Sequence, residues 1–282
     1  MLGSTKEILL EAQQNNYAVA AFNVFNMETA QAAVLAAENR QMPVILALGE
    51  RYLDTTRIEA FSAMVHTLAA AVSVPVALHL DHAYELESIR KAIRCGFTSV
   101  MYDGSKFSLE ENIRHTKEVV KLAHRAAVSV EAEIGSTARG DFSDEEEGDG
   151  RLTDPQEAGI FVQETCVDFL AAAIGTVHGM YKGEPRIDLG RLEALHRTLD
   201  IPLVLHGGSG TPDSIIRESI RSGIRKINVN TEVSMTAVKQ LTNFLNEHSA
   251  PHLSRVMADM QQSMATVMER FIDLFANRSG SE

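Results

Sequence analysis

The sequence predicts an α/β protein, a (β/α)8 TIM barrel with extra C-terminal helices. Short apolar runs alternate with longer helical patterns along the chain, and most of these runs are continuous rather than alternating. Continuous apolar runs are typical of strands buried on both faces of a parallel sheet. Eight such strands separated by helices favour a closed barrel over the alternative, an open doubly wound sheet.

The elements follow in order along the chain. The predicted strands are Tyr17–Phe22, Pro43–Leu48, Pro75–Leu80, Thr98–Tyr102, Val128–Glu133, Asp168–Ile174, Pro202–His206 and Lys226–Val229. The predicted helices between them are Met27–Arg40, Arg57–Val72, Glu85–Cys95, Leu109–Arg125, Pro155–Cys166, Leu189–Leu199 and Asp213–Ser222, with a tail over Thr231–His248 and His252–Asn277. Asp154-Pro155 and Thr211-Pro212-Asp213 indicate helix starts with a capping side chain and an early proline.

Length and composition favour one acidic domain over residues 1–282. No proline- or serine-rich linker divides the 282 residues, and the formal net charge is −12. That charge argues against nucleic acid or an anionic membrane as a partner. No apolar run approaches the ~20 residues of a membrane span, and the N-terminus lacks the apolar core of a signal peptide. Cys95 and Cys166, without CxxC spacing, indicate a reducing compartment, so we expect a cytoplasmic protein.

Histidines cluster at the predicted strand ends, where barrel enzymes carry their chemistry. Four of the ten histidines lie there: His79, His82, His178 and His206. Three neutral imidazoles suit a catalytic zinc that keeps one position open for substrate. We predict His82, His178 and His206 as ligands, and His79, deeper in its strand, as a supporting or core residue.

Carboxylates lie at the same predicted strand ends as the histidines. Asp81, beside His82, is a candidate for proton transfer, and its alternative role is to orient a histidine or cap the next helix. Asp103 and Glu133 could hold a second metal position or orient the histidines, and Asp103 could equally cap the turn at Gly104. The acidic segment 138–151 breaks the helical and strand patterns, and it is either a solvated loop or a mobile lid.

Two loops predict a phosphate site. After the seventh strand, Gly207, Gly208 and Ser209 can present backbone N–H groups. After the eighth, Asn230 and Thr231 begin a helix whose positive end favours an anion. Barrels often bind phosphate with these two loops. An acidic protein can thus bind phosphate without a lysine cluster.

The motifs resemble one family. DHAYE at residue 81, IGTVHG at 174, LHGGSG at 205 and KINVNTE at 226 are similar to the class II fructose- and tagatose-bisphosphate aldolases. The resemblance extends from AFNVFN near residue 21 to about Thr236, and it is strongest to the tagatose-bisphosphate-like branch. It implies a zinc enzyme that reversibly cleaves a ketose phosphate to dihydroxyacetone phosphate and an aldehyde. It also implies a homodimer or homotetramer.

The resemblance also assigns roles to residues. It implies zinc on His82, His178 and His206, proton transfer by Asp81, and an alternative metal position at Asp103 and Glu133. It implies a monovalent cation, Na⁺ or K⁺, near Gly179, Gly207 and Ser209. The residues expected to hold the substrate and its phosphate are Asn23, Gly179, Gly207, Gly208, Ser209, Asn228, Val229, Asn230 and Thr231.

Two segments depart from the family pattern. The lid reads STARGDFSDEEEGDG, so Glu145, Glu146 and Glu147 are candidates for its proton-donating acid, and we assign Glu146. The family's DPR triplet, whose arginine grips the distal phosphate from a neighbouring subunit, is replaced by HSAPHLSR. Arg255 and Arg278 are possible substitutes.

Three alternative functions follow. The loss of the DPR arginine leaves open a ketose 1-phosphate without a distal phosphate as the substrate. A metal-dependent hydrolase could use the same three histidines, but it would not need the two phosphate loops. The chain could also be a non-catalytic partner of another aldolase subunit.

Overall fold

The computed structural model describes residues 2–146 and 148–277. Two candidates from the sequence, Glu147 and Arg278, therefore lie outside the described residues. Eight parallel strands close into a barrel in the spatial order β1-β10-β9-β7-β5-β4-β3-β2, which confirms the predicted fold class. The strands are β1 Val19–Asn23, β2 Val44–Gly49, β3 Val76–Ala83, β4 Ser99–Tyr102, β5 Ser129–Ile134, β6 Ala138–Arg139, β7 Phe169–Ala172, β8 Val177–His178, β9 Leu203–Leu205 and β10 Ile224–Val229.

The barrel strands are buried along their whole length, as continuous apolar runs predict. Helices cover their outer faces. Inside, Ile8, Leu9 and Ala12 form a second apolar cluster with inward-facing strand residues such as Phe169. These three residues belong to the first helix, α1 Thr5–Asn15, which lies across the strand starts and closes that end of the barrel. The opposite end is left for polar groups.

Nine further α-helices follow α1 in the described residues. They are α2 Met27–Arg40, α3 Ile58–Ala70, α4 Leu86–Arg94, α5 Leu109–His124, α6 Pro155–Thr165, α7 Leu189–Thr198, α8 Asp213–Arg221, α9 Thr231–Glu247 and α10 Leu253–Phe275. Asp154 caps α6 with Pro155 in its first turn, as predicted. The start of α8 differs, because Pro212 occupies the N-cap without a side-chain cap bond.

The two C-terminal helices are an addition to the barrel. α10 packs against α2 and α9, and Arg40 of α2 pairs with Glu269 and Asp273 of α10. Within the described residues, no helix combines the length and apolarity needed to cross a membrane.

Three small elements have no counterpart in the prediction: a 3₁₀ helix, β6 and β8. The 3₁₀ helix, Glu50–Asp54, follows β2 directly. The start of segment 138–151 is a strand: β6 pairs in parallel with β8, and Asp141 bridges to Met180. Strands of two residues carry too little periodicity to be recognised from sequence.

Candidate active site

Three histidines converge where the strands end. Side-chain atoms of His82, His178 and His206 lie within 4.8 Å of one another. His82 belongs to β3, His178 to β8, and His206 directly follows β9. The His82 and His206 rings are 4.6 Å apart between centroids and meet edge to face. The structure thus brings together the three histidines that the sequence singled out.

A backbone kink lets two neighbouring residues of β3 face the mouth. His82 has a φ of 43°, in the left-handed region that non-glycine residues rarely adopt. The register of β3 against β4 shifts between Leu80 and Ala83, around the same point. A regular strand would send Asp81 and His82 to opposite faces. The irregularity removes that alternation, and both side chains reach the candidate site.

The histidine nitrogens fit a metal ion. Nδ1 of His82 donates to Asp103 at 2.9 Å, and Nε2 of His206 donates to Glu131 at 2.9 Å. The other ring nitrogens, Nε2 of His82 and Nδ1 of His206, are buried and have no hydrogen-bond partner among the described residues. Carboxylates on the outer nitrogens are typical of metal-binding histidines, because they fix the tautomer and the ring orientation.

A buried charge network lies beneath the histidines. Lys226 is fully buried and donates to Glu131 at 2.8 Å. Burial raises the pKa of Glu131, but the charge of Lys226 and the hydrogen bond from His206 lower it to about 2. Glu131 therefore remains a carboxylate and holds His206. His79 is also fully buried, and its Nδ1 is 2.8 Å from Ser99 Oγ, outside the three-histidine group.

Asp81 is held by two amides. Asn23 donates to its Oδ2 at 2.9 Å, and Asn228 donates to its Oδ1 at 3.1 Å. Burial raises the pKa of Asp81, but nearby positive charge, that of His82 first, lowers it well below its usual value. Asp81 is therefore a fixed, ionised carboxylate at the site.

Asp103 and Glu133 form a second acidic group with His82. Side-chain atoms of the three residues lie within 4.8 Å of one another. Burial and the charge of Asp103 raise the pKa of Glu133 to about 8. One Glu133 oxygen is buried with no hydrogen-bond partner among the described residues, and it lies 3.6 Å from His206 Nδ1. This arrangement could bind a metal ion next to the three-histidine position.

A small cavity adjoins the histidines on the side of β9 and β10. Gly207 needs to be glycine there, because its φ is 75° and a Cβ would lie 2.2 Å from the carbonyl oxygen of Val177. α9 begins at the same cavity and directs the positive end of its dipole toward it. The sequence-predicted residues that line it are Asn23, His178, Gly179, Gly207, Ser209, Asn228, Asn230 and Thr231.

Two other predicted substrate residues do not line this cavity. The N–H of Gly208 is already donated to the carbonyl oxygen of Asn228 at 2.9 Å. Val229 is fully buried in the apolar core. The structure assigns both a packing position behind the cavity.

The lid brings one glutamate to the histidines. Glu145 lies with Asp81 and His82 in a group whose side-chain atoms are within 4.8 Å of one another. Burial raises the pKa of Glu145 above its usual value, although His82 and Arg51 act in the opposite direction. The side chain of Glu146, in contrast, is 59% exposed and pairs with Lys106. The segment therefore covers the site, and Glu145 rather than Glu146 reaches the cluster.

Arg51 is a site residue that the sequence analysis missed. It lies in the 3₁₀ helix after β2 and donates to Glu145 at 2.6 Å and to Asp144 at 3.4 Å. Tyr52 and Asn230 also donate to Asp144. The signal for it in the sequence is a cation just past the end of the second strand.

Fold and site together define a barrel enzyme with a candidate metal centre beside a cavity at the start of α9. The family model for class II fructose-bisphosphate aldolases matches residues 3–280, and the chain belongs to this family. Its relatives are aldolases, which are lyases.

Particular relatives cover most of the chain. It is 42% identical to the fructose-bisphosphate aldolase of Staphylococcus aureus strain Mu50 over 251 residues, 87% of this chain and 86% of the relative. It is 45% identical to the 6-phospho-5-dehydro-2-deoxy-D-gluconate aldolase of Halalkalibacterium halodurans over 234 residues, 82% of this chain and 81% of the relative. The crystal structure of the YdjI aldolase from Escherichia coli K12 superimposes with a TM-score of 0.87 at 32% identity, covering 100% of both chains.

The buried ion pair yields a prediction about stability. Lys226→Met leaves Glu131 as an unpaired buried charge, so we expect a loss of about 3–5 kcal/mol in the free energy of unfolding. Urea denaturation measures it. The double variant Lys226→Met/Glu131→Gln removes both charges and should recover most of the loss. A single variant as stable as the wild type would contradict the role of the ion pair.

The three-histidine group yields a prediction about metal content. His206→Ala removes one converging nitrogen, so the purified protein should retain much less metal by atomic emission. His66→Ala removes an exposed histidine and is the matched control. Equal metal content in the folded His206→Ala variant and in the control would exclude His206 as a ligand.

Proposed function

We propose that this chain is a zinc-dependent aldolase that reversibly cleaves a ketose bisphosphate to dihydroxyacetone phosphate and an aldehyde. The observation that carries the proposal is the convergence of three histidines beside Asp81 and the cavity. One ring nitrogen each of His82 and His206 has no hydrogen-bond partner among the described residues. Amide groups hold Asp81 in place. A generic hydrolase would need the histidines but not the cavity. Family membership supports the reaction class.

His82, His178 and His206 would hold the zinc. When bound, it would act as a Lewis acid on the ketose carbonyl. The unpartnered nitrogens of His82 and His206 support this assignment. Asp103 and Glu133, with His82, would supply the alternative metal position. Gly179, Gly207 and Ser209 would border a monovalent cation, which the resemblance implies.

The chain's own residues would move the protons. In cleavage, Asp81 accepts the proton of the hydroxyl on the carbon that becomes the aldehyde. The carbon–carbon bond then breaks, and its electron pair stays with the three-carbon fragment. The carbon of this fragment that had formed the bond then gains a proton. Asn23 and Asn228 orient Asp81, which supports its role as the base. We assign the returned proton to Glu145, because it lies with Asp81 and His82 at the site and burial raises its pKa.

The cavity would hold the phosphate of dihydroxyacetone phosphate. Gly179, Gly207 and Ser209 would supply donors from the backbone and a hydroxyl, and α9 the dipole. Asn230 and Thr231 at the start of α9 support this placement. The group at the distal end of the substrate is the less determined half. One relative is named for a fructose bisphosphate and another for a phosphorylated gluconate. A ketose 1-phosphate with a different distal group is the second candidate substrate.

We also propose that residues 1–282 act as one aldolase-type domain, in the cytoplasm, as a homodimer or homotetramer. Cys95 and Cys166 are both unpaired, which supports a reducing compartment. Val238, Leu245 and Leu253 on α9 and α10 are half exposed or more, which supports a contact between subunits.

A cleavage panel tests the function. Zinc-loaded protein should release dihydroxyacetone phosphate from fructose or tagatose 1,6-bisphosphate or from a ketose 1-phosphate, and a chelator should abolish the release. Asp81→Asn should bind zinc normally but lose about 10²- to 10⁴-fold in kcat, as expected for a lost general base. Release from none of these sugars would exclude the aldolase, and a fully active Asp81→Asn would remove Asp81 from the mechanism.

The lid acid has its own test. Glu145→Gln should lower kcat by about 10²-fold or more, because the variant cannot return the proton. Glu146→Gln changes the neighbouring residue in the same way, and the comparison separates the two candidates. Exchange of the carbon-bound proton of dihydroxyacetone phosphate with solvent should slow in Glu145→Gln. A larger loss of kcat in Glu146→Gln than in Glu145→Gln would instead assign the proton-donating role to Glu146.

A further inference from the structure

Arg51 lies on the side of the mouth where the aldehyde half of the substrate must lie. Gly49, the last residue of β2, is in register with Asp81. Arg51 follows two residues later. The glycine cavity, which would take the proximal phosphate, lies at β9 and β10. Glu145 lines that cavity and accepts from Arg51, so the guanidinium lies near the edge of the cavity. If Asp81 acts on the aldehyde carbon, the rest of that half extends past Asp81, toward the end of β2.

The guanidinium of Arg51 has N–H groups that lack a close hydrogen-bond partner among the described residues. Its side chain is 22% exposed, and Nη1 donates to Glu145 at 2.6 Å. Nη2 has only longer contacts, 3.2 Å to Tyr52 and 3.4 Å to Asp144, and Nε is buried without a partner among the described residues. Nε and Nη2 form one edge of the guanidinium, the edge that binds carboxylate or phosphate in a bidentate manner.

The lid carboxylate at this edge makes only a long contact with Arg51. The side chain of Asp144 is 50% exposed and lies 3.4 Å from Nη2, while Tyr52 and Asn230 also donate to it. An incoming anion could replace Asp144 while Glu145 keeps Nη1. Another mouth cation on the lid side, Lys106, follows β4, is 56% exposed, and is already paired with Glu146. Arg51 is therefore the better placed of the two for an anion on the Asp81 side.

We propose that Arg51 is a specificity residue that binds the anionic group at the aldehyde end of the substrate, a phosphate or a carboxylate, within its own subunit. This inference rests on the proposed function. Arg51 would supply a cation for the distal end of the substrate in a chain that lacks the DPR triplet. Arg255, the described alternative, is exposed at the start of α10.

The test is aldol synthesis from dihydroxyacetone phosphate and three aldehydes. Glyceraldehyde 3-phosphate carries a phosphate, succinic semialdehyde carries a carboxylate, and glyceraldehyde is neutral. The wild type should prefer at least one anionic aldehyde, and the preferred one identifies the distal group. Arg51→Met should lower kcat/KM for that aldehyde about 10- to 100-fold, mainly through KM, as expected for a lost charged hydrogen bond. Its loss on glyceraldehyde, which reports only the weakened hold on Glu145, should be clearly smaller.

Two further variants separate binding from support of the lid. Lys106→Met removes a lid-contacting cation from the other side of the mouth, so it should leave the ratio of anionic to neutral aldehyde unchanged. Arg51→Lys keeps the charge but loses the bidentate edge, so its ratio should be intermediate. Equal losses on neutral and anionic aldehydes in Arg51→Met, or no loss at all, would overturn the proposal. A wild type that consumes none of the three aldehydes would instead overturn the aldolase function.

Discussion

The ion pair between Lys226 and Glu131 is the interaction on which the mouth of this barrel depends. Both residues are fully buried, where an unpaired charge costs several kcal/mol. Paired with Lys226, Glu131 stays ionised and fixes the outer nitrogen of His206. His206 can then turn its unpartnered nitrogen toward His82 and His178. The orientation of the cluster is therefore set from beneath, by strands β5 and β10.

The sequence was sufficient to predict the fold, because a strand buried on both faces is a continuous apolar run. It also identified His82, His178 and His206, since polar residues at the ends of apolar strands stand out. It could not distinguish Glu145 from Glu146, because adjacent residues of an irregular loop point in directions that only the loop's contacts decide. Gly208 and Val229 show the converse: they belong to recognisable motifs, yet they pack behind the cavity.

The charges at the mouth explain why an acidic protein can accept a phosphorylated ligand. Asp81, Asp103, Glu131, Glu133 and Glu145 are all buried or nearly so around the histidines. Lys226 is committed to Glu131, so an anion approaching the cluster depends on local positive potential. The backbone of the glycine loop and the start of α9 provide it at the cavity, and Arg51 adds to it past the end of β2.

The short ladder between β6 and β8 joins the lid to a histidine. Arg139, five residues before Asp144, is in register with His178, and Asp141 bridges to Met180 on the same strand extension. The base of the lid and one corner of the three-histidine cluster are thus a single hydrogen-bonded unit. The backbone that leads to Glu145 therefore starts from the same ladder as His178. The covering segment is anchored by main-chain hydrogen bonds to the centre that it covers.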